Sequence, residues 1–204
     1  MKIRWYGHSC FLVETAEGSV VLDPYAPGSV PGLRLPPLTA DAVSCSHGHS
    51  DHGWREGVRL TGRQPGFKIR RLSVWHDDAE GALRGPNEIT ILDAEGLRVV
   101  HLGDLGHPLA AEQLAALGRV DVLLLPVGGY YTIGPETAWA VAQAIRPRIL
   151  IPMHYRGEGF GYDVIAPVED FLALAENVRR FDGSELDPTA VDTPVTAVLR
   201  CPVG

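Results

Sequence analysis

The sequence predicts an α/β fold in which β-sheets are sandwiched between helical layers. Two patterns carry that prediction. Roughly the first hundred residues break into short strand-like stretches divided by Gly and Pro, whereas the second half alternates apolar runs with helix-forming stretches. Size is the third consideration. A chain of 204 residues, 45% hydrophobic and 21% charged, can bury one proper core, and residues 1–204 are read as a single domain.

The elements follow in order. Residues 2–6 (KIRWY), 10–14 (CFLVE) and 19–23 (SVVLD) read as successive strands, with Gly7 and Gly18 at the breaks and Pro24 closing the third. Residues 24–38 form a Pro- and Gly-rich segment without period, too long for a simple turn, and fit either a functional rim or slack chain. DAVSCS (41–46) is a strand leading into a histidine cluster, and FKIRRLSVW (67–75), NEITILD (87–93) and LRVVHL (97–102) continue the sheet. PLAAEQLAALG (108–118) is helical with Gly118 as its stop, and DVLLLPV (121–127) has the unbroken apolarity of a strand buried on both faces. PETAWAVAQAI (135–145) is a helix opened by Pro135, RILIPM (148–153) a further strand, and VEDFLALAENVRR (168–180) a last helix.

Charge and cysteine content exclude several classes. A net charge of −7 with scattered basic residues disfavours a nucleic-acid footprint, which needs clustered Lys and Arg. No apolar run reaches the ~18 to 20 residues that cross a bilayer, and residues 1–14 lack the apolar stretch of a signal peptide, so neither membrane nor export is expected. Cys10, Cys45 and Cys201 are odd in number and lack C-x-x-C spacing, which fits a reducing cytoplasm and no disulfide scaffold.

The chemistry concentrates in SHGHSDHG (46–53), where His47, His49, Asp51 and His52 fall within six positions. On an extended strand end, His47 and His49 project to one side and suit one metal ion, while Asp51 and His52 turn toward a second point. Further donors should arrive from other strand ends: His76 after RRLSVW, Asp104 in HLGDLGH and His154 after ILIPM. His8, His101 and His107 are the rival histidines. His101, at a strand end, reads as a hydrogen-bonded core imidazole, and His107, in a Gly-containing turn, either as a residue at the mouth of the site or as one merely exposed.

With these residues in hand, the chain resembles the metallo-β-lactamase fold hydrolases, closest to a small lid-less branch that includes ascorbate-phosphate lactonase-like members. The resemblance rests on HGHSDH (47–52), WH (75–76), HLGDLGH (101–107) and IPMHYRGEG (151–159), and runs from WYGHSCFLVET and VVLDPY through LLLPVGGYYTIGPETA. It implies a four-layer αββα sandwich of two mixed sheets. It implies one metal at His47, His49 and His76, another at Asp51, His52 and His154, and Asp104 between them. Asp77 and Asp78, directly after His76, depart from the family pattern, and Asp77 is expected to orient the His76 ring.

Such donors imply two divalent metal ions, Zn by default, although imidazole and carboxylate serve Mn, Fe and Ni as well. A metal-bound hydroxide would be the nucleophile, with Asp51 orienting it and taking its proton, on a small ester-like substrate such as a lactone or phosphodiester. Two other readings remain: a di-iron redox protein of the same fold, and a non-catalytic metal-binding module. The expected partner is a small molecule, with no nucleic acid and no membrane, and a homo-oligomer is compatible with the sequence. Substrate specificity would lie in residues 24–38, in GGYYTIG (128–134) and in HYRGEGFGYD (154–163), where Tyr130, Tyr131, Arg156 and Tyr162 are available.

Overall fold

A computed structural model describes residues 1–202. The chain runs through β1 (Lys2–Trp5), β2 (Phe11–Thr15), β3 (Gly18–Leu22), β4 (Leu38–Ala40), β5 (Ala42–Ser44) and β6 (Val58–Leu60). It continues through β7 (Lys68–Trp75), β8 (Pro86–Ala94), β9 (Leu97–His101), α1 (Ala111–Leu117), β10 (Val122–Pro126) and α2 (Pro135–Ile145). β11 (Ile149–Met153), α3 (Val168–Leu172), β12 (Val178–Arg180), β13 (Glu185–Leu186) and β14 (Val195–Val198) complete it.

Two mixed sheets result. One has the order β13-β1-β2-β3-β5, antiparallel except where β3 meets β5; the other has the order β12-β14-β11-β10-β9-β8-β7, parallel from β12 to β9 and antiparallel beyond. The strand period of two explains how the sheets face each other. Ile3, Trp5, Phe11, Val13, Val20 and Leu22 enter the main core with Ile89, Leu124 and Ile151, while Cys10, Leu12 and Val21 point the other way. Every residue of β10 and β11 is buried, as the unbroken apolarity of these runs predicts.

The outer faces are covered unequally. α2 and α3 pack together on the seven-stranded sheet, with Ala138, Val141, Ala142 and Phe171 buried. Over the five-stranded sheet the outer layer is thin, made by residues 24–37 and the β4-β6 pair. Tyr25, Val30, Leu33, Leu38 and Val58 close a second apolar cluster against Leu12 and Val21. The 24–38 segment is therefore packed chain rather than slack, pinned where the Tyr25 hydroxyl donates to the Tyr6 carbonyl at 2.8 Å.

Two expected elements come out differently. The helix expected over 168–180 stops at Leu172; beyond it Asn177 takes a left-handed φ of 53° and the chain emerges as β12, paired parallel with β14. The carbonyls of Glu176 and Asn177 accept from the hydroxyl and amide of Thr196, so edge pairing replaces the helical ladder. The strand expected over 41–46 covers only Ala42–Ser44, since the next free amide, Ser46, donates to the Asp23 carboxylate at 2.7 Å. Among the described residues no helix is long and apolar enough to cross a membrane.

Cys10 and Cys45 are buried, Cys201 is partly buried, and all three are unpaired. Burial pushes the Cys45 thiol up to about 11 and raises Cys10 and Cys201 as well. Unreduced native protein at pH 8 should therefore react slowly with a thiol reagent, and the denatured chain should titrate all three cysteines; a smaller count would reveal a disulfide. Leu124, fully buried between the sheets, sets a second expectation. Leu124→Ala should cost about 2–5 kcal/mol, read as a lower urea midpoint at unchanged slope.

Candidate metal centre

The centre forms where loops at the strand ends of both sheets converge. Asp23 follows β3, and the turn beyond β5 carries His47, His49, Asp51 and His52. His76 follows β7, Asp104 lies just beyond β9, His154 follows β11, and His8 sits between β1 and β2. β5 ends at Ser44, so His47 and His49 lie in the bent segment beyond it rather than on an extended strand, and a tight turn follows in which the amides of His52 and Gly53 both donate to the His49 carbonyl, at 3.0 and 2.8 Å. The His47 and His49 rings meet at 4.6 Å, edge to face.

Donor atoms fall into three overlapping groups, each within 4.8 Å: His47, His49 and His76; His8, Asp51, His52 and His154; and His47, His52 and Asp104. All seven residues that the sequence marks as metal ligands are included, together with His8. Asp104 is central. Its Oδ2 lies 3.2 Å from Nε2 of His52, 3.3 Å from His76, 3.4 Å from His154 and 3.9 Å from His47.

Partners on the far side of the rings set which nitrogen is bare. His52 donates from Nδ1 to Asp23 Oδ2 at 2.8 Å. The Ser46 hydroxyl also donates to Asp23, so the His47 Nδ1–H donates to Ser46 Oγ at 2.9 Å. In both rings Nε2 is left facing the centre without a protein partner. Asp104 is aimed by Asn87, whose Oδ1 accepts from the Asp104 amide at 2.9 Å while its Nδ2 donates to the Leu102 carbonyl.

The backbone is forced at the same place. His8, Asp23 and His154 have φ of 50°, 45° and 54°, a region that costs a non-Gly residue about 1–3 kcal/mol and persists where surrounding contacts impose it. The His8 carbonyl accepts from the His154 amide at 3.2 Å and from the Trp5 indole at 3.0 Å, which ties the two sheets together beneath the centre. Gly106 and Gly128 permit close approach. A Cβ at Gly106 would lie 2.2 Å from the Asp77 amide, and one at Gly128 2.2 Å from the His154 carbonyl.

Electrostatics follow from burial. Desolvation pushes His47 down to about 3 and His8 to about 4, and lowers His76, so these imidazoles are neutral with lone pairs available. Burial also opposes charge on His52 and Asp104, yet His52, held between Asp104 and Asp23, is raised well above its ordinary value. Asp104 is held well below the carboxylate range by His154 and His52. Desolvation works against Asp51 too, but His8 and His52 keep it ionised.

The residues fit a metal. Nε2 of His47, His52 and His154 and Oδ1 of Asp104 are buried without a hydrogen-bond partner, and each such orphan costs about 1–3 kcal/mol. A divalent cation among them satisfies neutral imidazoles and carboxylates together, and this donor set accepts Zn, Mn, Fe or Ni.

Other residues that the sequence singles out surround the centre in different roles. Asp77 does not orient the His76 ring: its carboxylate accepts from the amides of Ala79, Gly81, Leu83 and Arg84, which organises the 77–85 loop, and His76 Nδ1 has no protein partner. His101 is the expected core imidazole, with Nδ1 accepting from the Gly103 amide and Nε2 donating to the Ser9 carbonyl. His107 braces the strand that delivers His76, accepting from the Trp75 amide at 3.2 Å. The Tyr162 hydroxyl is 3.2 Å from Asp51 Oδ2, Tyr131 packs against Tyr162, and Tyr130 is exposed beyond it; Arg156 instead donates from Nε to the Ile165 carbonyl. Sequence reasoning missed Asp23, Asn87 and the part played by His8; the available signals were an aspartate ending the apolar run SVVL and a histidine between two glycine-broken strands.

Comparison with known proteins agrees with this architecture. The Beta-lactamase superfamily domain matches residues 2–154. A UPF0173 metal-dependent hydrolase of Archaeoglobus fulgidus is 31% identical, with the alignment covering 76% of this chain and 83% of that one. Another, of Thermoplasma acidophilum, is 29% identical over 89% and 93%. A crystal structure from Thermotoga maritima, assigned to the Zn-dependent hydrolases of the metallo-β-lactamase superfamily, superposes with a TM-score of 0.77 at 36% identity over 97% of each chain. The chain thus belongs to the β-lactamase superfamily, within its UPF0173 metal-dependent hydrolase family.

Proposed function

We propose that this hydrolase cleaves a small ester-like substrate, a lactone or a phosphodiester, at a centre of two divalent ions. His47, His49 and His76 would hold one ion, and Asp51, His52 and His154 the other, with Asp104 shared. The observation that carries this reading is the position of Asp104 Oδ2, within 3.9 Å of four imidazole nitrogens drawn from both sets. Bound ions supply Lewis acidity toward a carbonyl or phosphoryl oxygen and lower the pKa of water.

The protein's own residues divide the remaining work. Asp104 is sealed off, its side chain 3% exposed, whereas Asp51 is 18% exposed and faces the open side. Asp51 is thus the carboxylate that solvent and substrate reach, and it serves as proton acceptor. His8 Nε2 at 3.3 Å and the Tyr162 hydroxyl at 3.2 Å hold its Oδ2 in place. The single O–H of Tyr162 is shared between Asp51 and the Ser29 carbonyl, the latter at 2.6 Å, so the packed 24–38 segment forms one wall of the approach. A net charge of −7 favours a small molecule over a nucleic acid as partner.

Elemental analysis of the purified protein, joined to a panel of lactones and phosphodiesters, tests the proposal. Two ions per chain and turnover of at least one member are expected, and His49→Ala should lose occupancy; retention of both ions in that variant would reject the assignment. Asp104→Asn keeps the shape and removes the shared charge. Turnover should fall by at least the ~10- to 100-fold typical of residues one step further from a metal, with one ion weakened more than the other. Normal stoichiometry with near-normal turnover would sink the two-metal reading. Asp23→Asn places an amide against His52 Nδ1–H, and metal affinity should drop about 10- to 100-fold, measured by competition with a chelator.

A further inference from the structure

Beside the centre, on the His47–His49 side, lies a cleft of about 440 Å³ lined by both of those histidines and by Arg55, Arg71 and Arg84, with Glu88 as its single acidic side chain. The chain as a whole is acidic, at −7, so three guanidinium groups in one cleft stand against the background charge. Among the described residues none of the three pairs with a carboxylate, whereas Arg70, next to Arg71 on β7, pairs with Asp93 at 3.7 Å. Glu88 is engaged elsewhere, accepting from the Ser73 hydroxyl at 2.7 Å.

The arginines are held rather than free. Arg55 spends one N–H on the Val43 carbonyl at 3.0 Å and Arg71 one on Ser44 Oγ at 3.3 Å. The Arg84 amide donates to Asp77 at 2.7 Å, and its guanidinium lies 5.7 Å from the centre of the Tyr131 ring, within cation–π range. Tyr131 packs on Tyr162, which touches Asp51, so Arg84 stands at the rim of the centre itself. Most guanidinium N–H groups in the cleft are left for a ligand, and their fork geometry matches an oxyanion.

We infer that the substrate carries an oxyanion, a carboxylate or phosphate monoester, which Arg71 and Arg84 bind in this cleft while the bond to be cleaved lies over the adjacent centre. The inference rests on the hydrolytic reading above and adds the substrate's charge and the side on which it docks.

Metal-loaded protein is assayed with a lactone or ester in three forms: neutral, carboxylate-bearing and phosphate-bearing. Either anionic form should exceed the neutral one in kcat/KM by about tenfold or more, and the better of the two identifies the oxyanion. In Arg71→Gln/Arg84→Gln that ratio should fall toward one, whereas Arg70→Gln, the same charge change on a residue outside the cleft, keeps it. Calorimetric titration of the same proteins with inorganic phosphate and with acetate gives a readout free of turnover. The double variant should weaken the preferred anion by about tenfold at unchanged metal content. Equal turnover of neutral and anionic forms, or undiminished anion binding in the double variant, would overturn the inference and leave the hydrolytic reading standing. A protein that turns over no form yet loses anion binding on substitution supports the cleft and defeats the hydrolytic reading.

Discussion

Asp104 is an ionised carboxylate with 3% side-chain exposure, and four imidazole nitrogens stand within 3.9 Å of one of its oxygens. Removing such a charge from water costs several kcal/mol unless opposite charge is brought to it, and the pull of Asp104 and Asp23 on the pKa of His52, upward against its burial, reports the same demand. A cation shared among the same donors offsets the burial. The rest of the centre can be understood as the scaffolding this requirement imposes. Rings must be presented nitrogen-first, carboxylates must be backed by amides or imidazoles, and donors must come from several strand ends at once.

The scaffolding is built from polar side chains that take over where the β ladder stops. Asp23 accepts from the Ser46 amide and hydroxyl and from His52, which ends β5, shapes the turn carrying four of the candidate ligands and sets the tautomer of two rings. Asn87 does the corresponding work for Asp104, and the four amides gathered by Asp77 fix the loop beyond His76. Left-handed backbone at His8, Asp23 and His154 is tolerated there because these contacts over-determine it. Close approach at Gly106 and Gly128 lets the segments bearing His76 and His154 press against their neighbours.

The two sides of the centre differ in character. Toward Asp51 the approach is walled by Tyr162 and the 24–38 segment, joined through the Ser29 carbonyl. Toward His49 it opens into the arginine-lined cleft. A thin outer layer over the five-stranded sheet permits this asymmetry, since an irregular segment can reach the site where a full helix would lie flat on the sheet.

The sequence by itself determined nine of the eleven strands through β11, missing only the short β4 and β6 of the outer layer, together with helices at 111–117 and 135–145 and seven candidate ligands at strand ends. Those features are local: periodicity, Gly and Pro punctuation, and donor residues crowded into a short span are visible without knowing what packs against what. Only the tertiary structure decided the end of the last helix, since residues 178–180 leave it to pair as β12 with β14. It also decided that His8, 43 positions from Asp51, belongs to the centre while His101 does not, and that Asp23 rather than Asp77 orients the ring of a candidate ligand. An imidazole or carboxylate reads the same in a sequence whether it coordinates, braces or fills. Its role depends on which distant atoms face it once the sheets have closed, and that is settled by packing across the two sheets rather than by any neighbour along the chain.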